Sequence, residues 1–248
     1  MKLRTYRAFQ AMILAGLGFF LLNRYWAGQL IVYIHQRYVW LVLPAALVLL
    51  AIAYTLFNQR PPIRSDEDSF LAVTQAPPGS NWRLLMMLIP LVLGVMIPIA
   101  PLGAEAAGSR QVNRTLSFSS DPYLTEKVLA LDPGTRSIME WLWAFDAAVD
   151  KRELNDQPVS LEGFVLIRED LPEDQFLVAR FVISCCVADA TAVGIAVQPP
   201  DQESNPTDGW VRITGQMQVI TQETKETLLI QATVIQSIEM PEQPYLYQ

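Results

Sequence analysis

The chain has little cysteine, little histidine and little charge, and each shortage excludes something. Its 248 residues hold two cysteines, Cys185 and Cys186, side by side. One adjacent pair cannot staple distant segments, so a disulfide framework is excluded. The pair also lacks the Cys-x-x-Cys spacing that favours a thiol oxidoreductase. The single histidine, His35, lies 150 positions before Cys185. A Cys–His catalytic pair would need the loop carrying His35 to meet the C-terminal half, no catalytic set assembles from the sequence, and the expectation is a protein that is not an enzyme. No internal repeat is present.

What charge there is divides unevenly. Residues 1–102 carry eight Lys or Arg against three Asp or Glu, and residues 103–248 carry ten against twenty-two, within a net charge of −7. An excess of carboxylates repels a polyanion, so the second half is not expected to bind nucleic acid. The first half contains three apolar stretches, Ala8–Leu22, Tyr38–Phe57 and Leu84–Pro101, the last two without a charged residue. A bilayer span needs about 20 mainly apolar residues, so helices are expected at about 6–24, 38–57 and 84–101, joined between the second and third by a cytoplasmic linker, 58–83. Lys2, Arg4 and Arg7 before the first stretch also fit a signal peptide, but Asn23-Arg24-Tyr25-Trp26 follows without a small-x-small cleavage site. Proline is tolerated in membrane helices where neighbours satisfy the freed carbonyl, so Pro44, Pro90 and Pro98 point to packing against a partner. Basic residues before the first stretch, with Arg60, Arg64 and Arg83 around the linker, place both on the cytoplasmic side. The expected protein is a multi-pass protein of the bacterial inner membrane, its N-terminus cytoplasmic and its acidic domain extracytoplasmic.

Beyond Gly103 the pattern is that of a connector with helices (103–158) followed by an OB-like β domain (159–248). Asp121-Pro122 marks a helix start that Asp132-Pro133-Gly134 ends; Ser137, with Glu140 three positions on, is a capping box for a second helix running to about Arg152. Ile138, Trp141, Leu142, Phe145 and Val149 form its apolar stripe. Five strands follow, Val159–Ile167, Phe176–Cys185, Val193–Val197, Trp210–Val219 and Leu228–Ser237. Gly163, Gly194 and Gly215 beside them suit bulges or bends, and the whole fits a small, partly open five-stranded barrel.

The chemistry concentrates in Phe181-Val-Ile-Ser-Cys-Cys-Val-Ala-Asp-Ala190. Thiolate is the soft ligand and the nucleophile among side chains, so Cys185, Cys186 and Asp189 are candidate ligands for zinc or another soft ion. Side chains alternate along a strand, so the two thiols share one ion only if the backbone bends there. The alternatives are a redox pair or plain apolar packing. His35 is a further candidate ligand, or an interfacial polar residue beside Tyr33 and Arg37. Glu169-Asp170 and Glu173-Asp174, flanking Leu171-Pro172, read as a solvated hairpin tip.

Ser184-Cys185-Cys186-Val187-Ala188-Asp189-Ala190, with Val193-Gly194, Tyr33-Ile34-His35-Gln36-Arg37, Pro101-Leu102-Gly103-Ala104, Trp210, Gly215 and the Pro241-Glu242-Gln243-Pro244-Tyr245 ending, resembles the YcgQ-like family of permease subunits over most of the chain. It departs from that family at Gln36 and Ala192, where proline is usual. The resemblance implies a YcgR-type membrane permease as partner. The expected function is then a non-enzymatic accessory subunit whose outer β domain gates the permease or hands it a soft ion or small solute. The alternative is a membrane-tethered thiol redox or metal-binding protein acting through Cys185 and Cys186. A channel is less well supported, because the second and third stretches offer no polar path.

Overall fold

The computed structural model describes residues 3–58, 81–108, 112–114, 128–200, 206, 208–222 and 225–247. The chain divides into two compact units, Met1–Ala100 and Pro101–Gln248. The linker residues 59–80 and the helix start expected at Asp121-Pro122 lie outside the described residues.

The first unit holds three helices, α1 (Leu3–Trp26), α2 (Val42–Asn58) and α3 (Asn81–Met96). Close approach of α1 and α2 depends on small residues. Ala46 is fully buried, and a Cβ at Gly18 would stand 2.9 Å from Leu50 and 3.2 Å from the Ala46 carbonyl oxygen. Pro44 lies in the first turn of α2, where a missing N–H costs no helical bond. At the end of α1, Arg24 donates to Gln29 Oε1 at 2.6 Å and to the Gly94 carbonyl at 3.3 Å, tying α1 to α3.

Among the described residues two helical segments are long and apolar enough to cross a membrane, Thr5–Trp26 and Gln36–Asn58. The second includes a 3₁₀ turn, Gln36–Leu41, ahead of α2. The third expected span is a correction: the apolar helix Leu84–Met96 is shorter, and the chain leaves helical structure at Ile97 rather than running to Pro101. Pro98 is the cause, since a proline drives the preceding residue out of the α region. Sixteen helical residues reach about 24 Å at about 1.5 Å each, short of a ~30 Å hydrocarbon core.

The second unit opens with α4 (Ala104–Gly108) and β1 (Val112–Asn113). Helix α5 (Ile138–Ala147) has the expected capping box: Glu140 N–H donates to Ser137 Oγ at 3.3 Å and Ser137 N–H to Glu140 Oε2 at 2.7 Å. It stops five residues short of Arg152, and Val149 is fully exposed rather than part of the stripe. Asp150 is the reason. Its carboxylate accepts from Arg152 N–H and starts a separate 3₁₀ turn, Lys151–Leu154, instead of standing at the negative end of a longer helix.

The strands are β2 (Pro158–Leu166), β3 (Phe176–Ile183), β4 (Thr191–Gln198), β5 (Trp210–Gln222), β6 (Lys225–Ile238) and β7 (Tyr245–Tyr247). Antiparallel pairs β5–β6, β5–β2, β2–β3 and β3–β4, with β4–β6 parallel, close a five-stranded barrel. The closure corrects the partly open form. Its interior takes alternate side chains of every strand, among them Leu161, Val178, Ile195, Ile213 and Ile230, sealed by Ile138, Trp141, Leu142 and Phe145 of α5. A second buried layer outside it joins Phe164, Leu177, Phe181 and Ile183 to Ala107 and Tyr245. This explains why β3 reads as an apolar run broken only by Arg180: both of its faces are covered.

The ladder between β5 and β6 slips at Thr214/Gly215. A Cβ at Gly215 would lie 2.1 Å from the Gln231 carbonyl oxygen, so no side chain fits there. Gly215→Ala is expected to cost about 2–3 kcal/mol through forced backbone shifts, read as a lowered midpoint in chemical unfolding of the full chain. An unchanged midpoint would contradict this packing.

Candidate functional site

The motif around the cysteines is the connection between β3 and β4, residues 184–190. Ladder register shows how that hairpin is held. Along one edge of β3, β2 pairs with Leu177–Ala179 and β7 takes over at Phe181–Ile183. Along one edge of β4, β1 pairs with Ala192–Val193 before β6 joins at Ala196–Gln198. The hairpin end therefore extends past the barrel wall and is flanked by two short strands from opposite ends of the second unit. Edges that would otherwise stay open are paired.

The C-terminal segment adds side-chain bracing. Arg180 donates through Nε to the Pro244 carbonyl at 3.3 Å and through Nη2 to the Gln243 carbonyl, while Tyr245 Oη accepts from Leu102 N–H at 2.8 Å. Trp210 lies under the Arg180 guanidinium, 5.6 Å from its carbon, and edge-on to Phe164. Sequence reading singled out Trp210 and the Pro-Glu-Gln-Pro-Tyr ending without a role; their place is against β3, just before the thiols. Ala192 is a ladder residue of β4 between Phe181 and Val112, and Gln36 begins a 3₁₀ turn.

β3 ends at Ile183, two residues before Cys185, and the chain bends at Ser184 and Cys185 before a 3₁₀ turn over Val187–Asp189. This bend brings the two sulfurs to 3.7 Å. A disulfide would need about 2.05 Å, and both thiols are free. Two sulfurs at about 2.3 Å from one tetrahedral ion stand about 3.8 Å apart, so the observed spacing matches a shared ligand. Cys185 is exposed and Cys186 half-buried, which leaves Cys185 no part in core filling.

Asp189 organises the loop. Its carboxylate accepts from Cys185 N–H at 2.7 Å and from Ser184 N–H at 3.2 Å, and its own N–H donates to the Cys186 carbonyl at 3.1 Å. The Cys185 thiol donating to this carboxylate, followed by its contact with Cys186, pushes the thiol up to about 11. The same thiol, with backbone N–H groups, holds the Asp189 carboxyl below its ordinary range. At neutral pH Cys185 is thus a protonated thiol, reactive only once the proton leaves. Among the described residues no set of three or more His, Cys, Asp or Glu side chains comes together as metal ligands. The loop offers two sulfurs, and Asp189 is already engaged by the backbone.

His35 belongs to the helical unit. Its Nδ1 accepts from Arg37 N–H at 3.0 Å, capping the turn Gln36–Leu41, and its ring meets Tyr38 edge-on at 5.9 Å. The expected solvated carboxylates are more engaged than their spacing implied: Asp170 accepts from Arg168 Nε at 2.7 Å, and Asp174 accepts from Gln198 Nε2 at 3.0 Å.

These features define a class of protein in which a unit of apolar helices is joined to a closed five-stranded barrel bearing two free thiols on one hairpin. The chain belongs to the DUF1980 family: residues 9–113 match the DUF1980 N-terminal domain and residues 119–248 the DUF1980 C-terminal domain. It is similar to UPF0703 protein YcgQ of Bacillus subtilis (strain 168), 23% identical over 286 aligned residues that cover 96% of this chain and 99% of that protein. No solved structure matches the chain. The join between the two family domains falls later than the structural division at Ala100, because β1 pairs with β4 of the barrel.

Proposed function

We propose that this protein is a non-enzymatic accessory subunit of a membrane transport system. Its OB-like barrel gates a YcgR-type permease or delivers to it a soft ion or small solute held by Cys185 and Cys186. The observation that carries the subunit reading is the end of α3. Ile97 N–H still donates to the Leu93 carbonyl at 2.9 Å, and residues 98–100 continue the apolar run outside any helix. In this reading these apolar residues complete the crossing that the sixteen-residue helix falls short of. Non-helical backbone at membrane depth is tolerated only against protein or a water-filled cavity, since lipid satisfies no backbone polar group. A partner membrane protein is the natural neighbour. The helix faces agree, with Leu47, Val48, Tyr54 and Phe57 of α2 and Leu85, Met86 and Val95 of α3 exposed.

Three crossings put the N-terminus in the cytoplasm and the barrel on the extracytoplasmic side, as the basic residues suggest. A reporter active only in the cytoplasm, fused after Gln248, is expected to give no signal; strong activity would mean two crossings and a cytoplasmic barrel. The full-length chain, purified in mild detergent from cells co-expressing a YcgR-type permease, is expected to elute with it in fixed ratio. Elution as a lone monomer, with its level unchanged when the permease is deleted, would overturn the subunit reading. The second reading, a thiol protein acting alone, rests on the 3.7 Å sulfur spacing and survives that result.

A further inference from the structure

A pocket on the barrel unit is lined by none of the thiol hairpin's residues 184–190. Val112, Asn113, Arg114, Arg168, Asp170 and Leu177 line a cavity of about 220 Å³. Two guanidinium groups and one carboxylate leave it one positive charge in excess, within a half of the chain where acidic residues outnumber basic ones by more than two to one. The carboxylate is committed to one side. Asp170 Oδ1 takes the Arg168 Nε–H at 2.7 Å, whereas Arg114 Nη1 stands 3.8 Å from Asp170 Oδ2, beyond hydrogen-bond length. Arg114 Nη2 is buried and has no hydrogen-bond partner among the described residues. A buried donor left unmade is costly, and one on a charged group costs more. Burial has in fact lowered the affinity of this guanidinium for its proton. The group is also well placed, since Val112 and Asn113 immediately before it are fixed in the β4 ladder.

We infer that this cavity binds a small oxyanion, the carboxylate or phosphate group of a solute, on the free edge of Arg114. A planar guanidinium fork presents parallel donors to either kind of group, and the neighbouring Asn113 amide has donors of its own. Asp170 sets the affinity by partly neutralising the pocket.

The test is a titration of the full-length protein in detergent with sodium phosphate and, separately, sodium acetate. Chloride holds ionic strength constant, and binding is read by calorimetry and by the rise of the melting midpoint that native-state binding produces. Saturable one-site binding of either anion is expected, the tighter one telling a tetrahedral from a planar ligand. Arg114→Gln is expected to weaken it at least tenfold, and Asp170→Asn to tighten it at least threefold. Failure of both anions to saturate, or wild-type affinity in Arg114→Gln, would overturn the inference. If Arg114→Gln does not fold, Asp170→Asn decides: unchanged or weaker binding would count equally against the site.

Discussion

Replacing both thiols, Cys185→Ser with Cys186→Ser, is expected to abolish binding of zinc or trivalent arsenic while the barrel stays folded. The two cysteines are the only thiols in the chain, and their 3.7 Å sulfur spacing fits one ion. Cys185 is exposed and lies in a connection, outside the core clusters, so its loss removes no packing. Each single variant retains one sulfur and should bind far more weakly than the wild type. Binding by the native pair should also strengthen with pH. A thiol pushed up to about 11 must release its proton to ligate, so affinity between pH 6 and 9 is expected to rise by up to about tenfold per unit for each proton displaced. Equilibrium dialysis across that range reads both effects. A lowered melting midpoint with ion binding untouched would assign the cysteines to packing instead.

The second large effect belongs to Asp189→Asn. The carboxylate accepts the Cys185 thiol proton and repels the thiolate, so its removal should bring that thiol down toward the ordinary cysteine value near 8.5. Each unit of that fall multiplies the thiolate fraction at neutral pH about tenfold. Alkylation by iodoacetamide at pH 7.5 is therefore expected to quicken at least tenfold in the variant. In the wild type the rate should keep climbing well past pH 9. The linkage has two signs. The Asp189 carboxyl lies below its unfolded range, so its contribution to stability is present at neutral pH and fades as acid titrates the folded group; the Cys185 contribution is full below the ordinary thiol range and is lost as pH rises toward about 11. Equal alkylation rates in variant and wild type would show that Asp189 holds only the backbone.

The five barrel strands were readable because their apolar residues either alternate, as in β5, or fall in short buried runs, as in β3 and β4, and the capping box of α5 because its two partners lie three residues apart. What escaped depends on long-range pairing or on a local stop. Strands β1 and β7 are two and three residues long, too short to show a period, and exist because the edges of β4 and β3 accept them. Arg114 was hidden for the same reason: within a polar connector it is unremarked until β1 docks. Hydropathy carried the third span through Pro98, although backbone sterics end the helix before it. The thiol pair was legible as residues and as a condition, that a bend must follow the strand; the bend itself comes from Asp189 folding back onto Ser184 and Cys185.

If Cys185 and Cys186 together take one soft ion, X-ray absorption at the zinc edge will show the pair of sulfurs around it. Full-length protein is loaded with one equivalent of zinc at pH 8 and freed of excess by gel filtration. About one retained zinc per chain is expected, with two sulfur neighbours near 2.3 Å and lighter atoms in the rest of the shell. Zinc lost on the column, or a shell of nitrogen and oxygen alone, would contradict it.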